Sequence, residues 1–150
     1  MKRFKTVHYT VHSDKIKDAR GVRFAVLADL HGVEFGPDNK RLIEAIDKYR
    51  PDGILVAGDL IVRNDRKTME TAAFLLKQLV RQYPVYYVLG NHEYKVYRSN
   101  PEENEMAEDY QEYERELRAA GVHMLHNESG ELWIGKNRVV VHGLEIPLIY

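Results

Sequence analysis

This sequence predicts an α/β fold built on a mostly parallel sheet, from two observations. Short apolar runs alternate with segments of helical periodicity. Each of the first three runs also ends in polar residues of the same chemical kind, at a nearly constant interval. The chain of 150 residues is long enough for one domain with a real core, and residues 1–150 are read as that single domain.

The elements follow in order. Val22 to Ala28 (V-R-F-A-V-L-A) is short, apolar and partly β-branched, the pattern of a strand buried on both faces. Gly36-Pro37-Asp38 supplies a turn and an N-cap candidate, and Leu42, Ile43, Ile46 and Tyr49 then recur at helical spacing. Pro51-Asp52-Gly53 breaks that helix, and Ile54 to Ala57 reads as the second buried strand. Residues 67–82 carry Met69, Ala72, Ala73, Leu76, Leu79 and Val80 on one stripe, an amphipathic helix. Pro84 closes it, and Val85 to Leu89 forms the third strand. The resulting β-α-β-α-β order implies parallel strands with right-handed crossovers. A loop is expected next, then an acidic helix capped by Asn100, with Pro101 at its first position, Glu103 completing a capping box and Gly121 ending it. Val122 to Leu125, Leu132 to Ile134 and Val139 to Val141 read as short strands, the last two paired across Gly135-Lys136-Asn137.

The strand exits carry the chemistry. The first leaves into Asp29-Leu30-His31, the second into Gly58-Asp59, the third into Gly90-Asn91-His92-Glu93. Asp29, Asp59 and Asn91 stand 30 and 32 residues apart, about one βαβ unit each. In a parallel sheet these exits share the carboxyl edge, where open α/β sheets bind ligands. Asp29 and Asp59 would repel each other in a partly desolvated crevice, and a bound cation relieves that repulsion. Oxygen and imidazole donors without thiolate suit manganese, iron, zinc, cobalt or nickel without choosing among them. For Asp29 and His31 to reach one ion, the chain must bend at the strand end. Gly58 and Gly90 suit sharp backbone turns beside it.

At these residues the chain resembles the calcineurin-like metallophosphoesterases. D-L-H-G-V-E-F-G, P-D-G-I-L-V-A-G-D-L-I and Y-P-V-Y-Y-V-L-G-N-H-E are similar to a bacterial subgroup that contains membrane- and cell-wall-associated phosphoesterases, and the resemblance runs from Val22 to Pro147. It implies an αββα sandwich with a dinuclear metal centre that hydrolyses a phosphate ester or pyrophosphate through an activated hydroxide. In it Asp29 and His31 would bind the first ion, Asp59 would bridge, Asn91 would bind the second, and His92 would be the catalytic residue facing the phosphate. The substrate would be a phosphorylated small molecule or lipid. The family pattern continues with a further His and a Gly-His-x-His motif, and neither occurs here; His142-Gly143 has the order reversed. The domain is therefore expected to lack the C-terminal part of the sandwich. Val139, Val141, Leu144, Ile146 and Leu148 would then form an exposed patch that invites self-association. A non-catalytic scaffold on the same fold is the alternative. A nucleotide-binding Rossmann module is disfavoured, because no glycine-rich loop follows the first strand.

Composition narrows the field. Apolar residues make up 44% and charged residues 30%, an ordinary globular balance. A net charge of −1 and a pI of 6.7 give no electrostatic case for nucleic acid. Without cysteine, disulfides and thiolate metal sites are excluded. With no signal peptide and no run near the ~18 apolar residues of a membrane span, a cytoplasmic location is the default. The subgroup resemblance leaves peripheral membrane attachment open. His8, His12, His123, His126 and His142 belong to no motif and read as surface or satisfied core residues. Tyr86, Tyr87, Tyr94 and Tyr97 read as core and pocket wall rather than a stacking platform.

Overall fold

A computed structural model describes residues 2–102 and 104–145. In it the strands β1 (Phe24–Leu27), β2 (Gly53–Ala57), β3 (Val85–Val88) and β4 (His123–Met124) form one parallel sheet in sequence order. Helices α1 (Lys40–Tyr49) and α2 (Arg66–Leu79) link the first three strands; α3 (Asn91–Tyr97) and α4 (Met106–Ala120) lie between β3 and β4. A separate antiparallel hairpin, β5 (Ser129–Ile134) and β6 (Asn137–His142), follows.

Neighbouring strands taken in order, with right-handed crossovers, place their helices on a single face of the sheet. The burial alternation agrees. Ile54, Val56, Val85, Tyr87 and Met124 are cross-strand neighbours on one face, and all are buried with Leu42, Ile46, Leu76, Leu79, Tyr110 and Leu117 of the helices. The opposite face is covered only in part. Tyr86 is buried there under the hairpin, its hydroxyl donating to the Glu131 carbonyl (3.2 Å), whereas Val26 on β1 is 63% exposed. The expectation that the first strand is buried on both faces therefore fails. It is one of the sheet's two edge strands, and only Leu27 of its four residues is fully buried. An α layer, a parallel sheet and the beginning of a second sheet are thus present among the described residues, consistent with the expected α/β sandwich.

Several boundaries move for local reasons. Asp38 does not cap α1, because it sits in a short 3-10 turn with φ 56°; the buried Asn39 instead turns its Oδ1 back to the Phe35 N–H. At α2, Asp65 is the cap, accepting from the Lys67 N–H. The stretch after β3, expected as a loop, is helical at Asn91–Tyr97. The acidic helix starts at Met106 rather than beside Pro101, since Asn104 gives its Oδ1 to the Met106 N–H and its carbonyl to the Ala107 N–H. Glu103 of the expected capping box lies outside the described residues. Gly121 ends this helix at φ 103°, as its composition implies. The hairpin closes through Gly135-Lys136, and Asp18 of the N-terminal segment accepts from both the Lys136 N–H and the Asn137 amide. No helix among the described residues is long and apolar enough to cross a membrane.

Candidate metal centre

The three exits meet at the carboxyl edge of β1, β2 and β3. Beyond the end of β1 the chain keeps pairing with the segment after β2: the N–H groups of Asp29, His31 and Gly32 donate to the carbonyls of Gly58, Asp59 and Leu60. To hold that pairing while presenting side chains to one side, Asp29 (φ 55°), His31 (φ 47°) and Asp59 (φ 54°) all adopt left-handed backbone. Such conformations cost free energy in non-glycine residues and cluster at functional sites. Here they supply the bend that lets Asp29 and His31 face the same point. One ligand atom from each of Asp29, His31 and Asp59 lies within 4.8 Å of the others, a group able to hold a metal ion. The His31 Nε2 is 3.9 Å from Asp59 Oδ2. No cationic side chain among the described residues pairs with Asp29.

The third exit closes on this group. Asn91 opens α3 as an exposed residue, and the next backbone N–H, that of His92, donates to Asp59 Oδ1 (2.9 Å). The His92 ring meets the His31 ring edge-on at 5.1 Å between centroids. Its Nδ1 accepts from the Arg63 N–H (3.0 Å), so the neutral ring carries its proton on Nε2. Gly58 and Gly90 are required for different reasons. Gly58 has φ +80°, and a Cβ on it would lie 2.3 Å from Gly90 Cα; Gly90 has ordinary φ, but a Cβ there would lie 2.3 Å from the Asp59 N. Two loops pass backbone to backbone here, and only glycine leaves room.

Glu93 is the residue that sequence reasoning did not assign. It is fully buried, and its carboxylate accepts from the N–H groups of Gly90 (3.1 Å), Asp59 (2.9 Å), Leu60 (2.8 Å) and Ile61 (3.3 Å) and from the Tyr87 hydroxyl (2.7 Å). Tyr113 of α4 donates in turn to the Tyr87 hydroxyl at 3.3 Å. A single buried carboxylate therefore ties the loops after β2 and β3 to each other and to the core. Its signal was present in the sequence: Glu93 stands three residues after Gly90, where a helix N-terminus places a Glu that reaches back to the cap N–H. Burial pushes the hydroxyls of Tyr87, Tyr110 and Tyr113 well above the ordinary tyrosine range.

The remaining expectations divide. Tyr86 and Tyr87 are core, Tyr94 packs against it, and Tyr97 is 41% exposed over the His126 ring. His126 lies between Glu114 (2.8 Å) and Glu145 (2.6 Å), a satisfied residue away from the centre.

A donor cluster able to hold a metal ion thus lies at the carboxyl edge of the parallel sheet, where open α/β folds bind ligands. The chain belongs to the calcineurin-like phosphoesterase family, whose model matches residues 22–148. Its fold is similar to that of a phosphopantetheinyl hydrolase from Mycobacterium tuberculosis, with a TM-score of 0.51 at 17% sequence identity over 82% of this chain. The chain spans 42% of that protein's length. A comparison with curated protein sequences yields no match.

Proposed function

We propose that this chain contributes the active centre of a hydrolase that cleaves a phosphate ester or pyrophosphate bond at two divalent metal ions. The convergence of Asp29, His31 and Asp59 carries this reading, because carboxylates so placed favour a cation between them. The donor set fits manganese, iron, zinc, cobalt or nickel, and Asn91 adds an amide oxygen for a second ion that Asp59 would share. When bound, such ions supply Lewis acidity and bring the pKa of a coordinated water near neutrality.

The residues of the chain do the rest. Asp59, which would be shared between the two ions, is held from both sides, by the His92 N–H on its carboxylate and by Glu93 on its own N–H. His92 holds a proton at Nε2, since the Arg63 N–H occupies its Nδ1. As the bond from phosphorus to the leaving oxygen breaks and one to a water oxygen forms, that leaving oxygen takes the His92 proton. The proton lost by water later restores the imidazole. A phosphorylated small molecule or lipid is the substrate class.

A scaffold without catalysis is favoured by one observation: among the described residues the His, Asp and Glu donors form one cluster of three, enough for a single ion. Calorimetric titration with Mn²⁺ alongside hydrolysis of bis(p-nitrophenyl) phosphate decides between the readings. Two-site binding with turnover supports the hydrolase. One-site binding without turnover supports the scaffold.

A further inference from the structure

Beside His92 the surface opens into a cleft of about 520 Å³, walled by Arg63, Asn64, Lys95, Ser99, Asn104 and Glu105. It is open to solvent and lined mainly by polar and charged groups. Two features join it to the metal centre. The Arg63 N–H fixes the His92 ring, and Lys95 follows His92 by three residues on α3, about one helical turn away.

Among the described residues that line the cleft, the charged ones are Arg63, Lys95 and one carboxylate, Glu105. Among the described residues neither cationic side chain joins an ion pair, although Lys77 pairs with Glu116, Arg66 with Asp109 and Arg138 with Glu131 elsewhere on the surface. Two like charges lining one hollow disfavour each other until an anion joins them. Neutral donors accompany them. Asn104 commits its Oδ1 to the Met106 N–H and one amide hydrogen to Ser99 Oγ (3.4 Å), which leaves its second amide hydrogen for a ligand.

Direction follows from His92. If it protonates the leaving oxygen, the leaving group emerges on its side of the scissile phosphate, next to Arg63 and Lys95. We propose that this cleft binds a second anionic group on the leaving-group side. The substrate class is then a phosphate ester or pyrophosphate whose leaving group carries a further phosphoryl or carboxylate charge. This rests on the hydrolase reading above for its direction, but the binding can be measured apart from it.

The test is calorimetric titration of the full chain with methylenediphosphonate and with inorganic phosphate, first in excess EDTA and then with Mn²⁺. In EDTA the diphosphonate binds about tenfold tighter than phosphate, and replacing Arg63 and Lys95 together by Gln removes that preference. Glu105→Gln raises diphosphonate affinity about twofold, a gain that misfolding cannot imitate. A wild-type chain without preference, or a double variant that keeps it with native circular dichroism, overturns the proposal. If Mn²⁺ strengthens neither ligand while the EDTA preference persists and vanishes in the double variant, the metal reading fails and the cleft stands.

Discussion

At the scale of single residues, Glu93 and Asp59 separate holding the site from performing its chemistry. Glu93→Gln would turn an amide NH₂ toward backbone N–H groups that now donate to a carboxylate, leaving at least one buried donor without a partner. An orphaned buried donor costs about 1–3 kcal/mol, and here the lost acceptor is charged as well. We expect Glu93→Gln to lower unfolding stability by about 2 kcal/mol or more in urea titration. A loss below ~0.5 kcal/mol would mean the carboxylate is not the tie between the two loops. Asp59→Ala and Asn91→Ala test the metal roles. A bridging Asp59 touches both ions, so its loss should weaken both Mn²⁺ binding steps, whereas Asn91→Ala should weaken one. Equal affinities for both variants and the parent, by calorimetry, would remove the bridging role.

At the scale of elements, the close pass between the β2 and β3 exits is a constraint of backbone against backbone. Gly58→Ala would require φ +80° of a residue with a side chain and drive its Cβ into the Gly90 backbone. Gly21 has a similar φ of +70° with nothing within 4 Å of the added carbon. The pair separates conformational strain from collision. Gly21→Ala should cost about 1 kcal/mol, the usual left-handed penalty, and Gly58→Ala distinctly more, with loss of metal binding. Similar melting temperatures for the two variants would refute a steric pass. The helical form of Asn91–Tyr97 belongs to this scale too. Seven residues are too few to be helical alone in water, and this helix exists because buried Glu93 and Val96 anchor it.

At the scale of the whole molecule, two outcomes are expected. The first is alkaline sensitivity. Burial, assisted by a hydrogen bond to Asp47, raises the Tyr83 hydroxyl from 10.0 to about 12, and Tyr87, Tyr110 and Tyr113 are raised as well. A raised folded pKa gives stability that is complete below the unfolded value and is lost as pH climbs toward the folded one. Stability should therefore decline above about pH 10, and Tyr83→Phe should soften the decline between about pH 10 and 12. Urea midpoints measured across that range check it; a flat profile would contradict the burial of these hydroxyls. The second outcome is self-association. Val26, Trp133 and Leu144 are 63%, 65% and 71% exposed. Of the residues expected in the patch, Leu144 is exposed as anticipated. Val139 and Val141 are half-buried because they alternate with the outward-facing Val140, and Ile146 and Leu148 lie outside the described residues. Light scattering should find species larger than the monomer, reduced by Val26→Ser with Trp133→Ser. A monodisperse monomer at high concentration would end this expectation.

What the sequence determined by itself was everything carried by local pattern. Apolar runs and helical stripes placed β1 to β3, α1 and α2, and the regular interval between Asp29, Asp59 and Asn91 put them at one sheet edge, because strand-helix-strand periodicity is written in consecutive residues. Tertiary structure alone decided the rest. The exposure of Val26 depends on which strands and layers neighbour β1, a relation no local window contains. The left-handed backbone at Asp29, His31 and Asp59 is held by pairing with a segment some 30 residues distant. Glu93 looked like one more polar residue at a strand exit. It became the tie of the centre only when folding brought the N–H groups of Gly90, Asp59, Leu60 and Ile61 around one carboxylate, since a buried charge persists only where long-range contacts supply its partners.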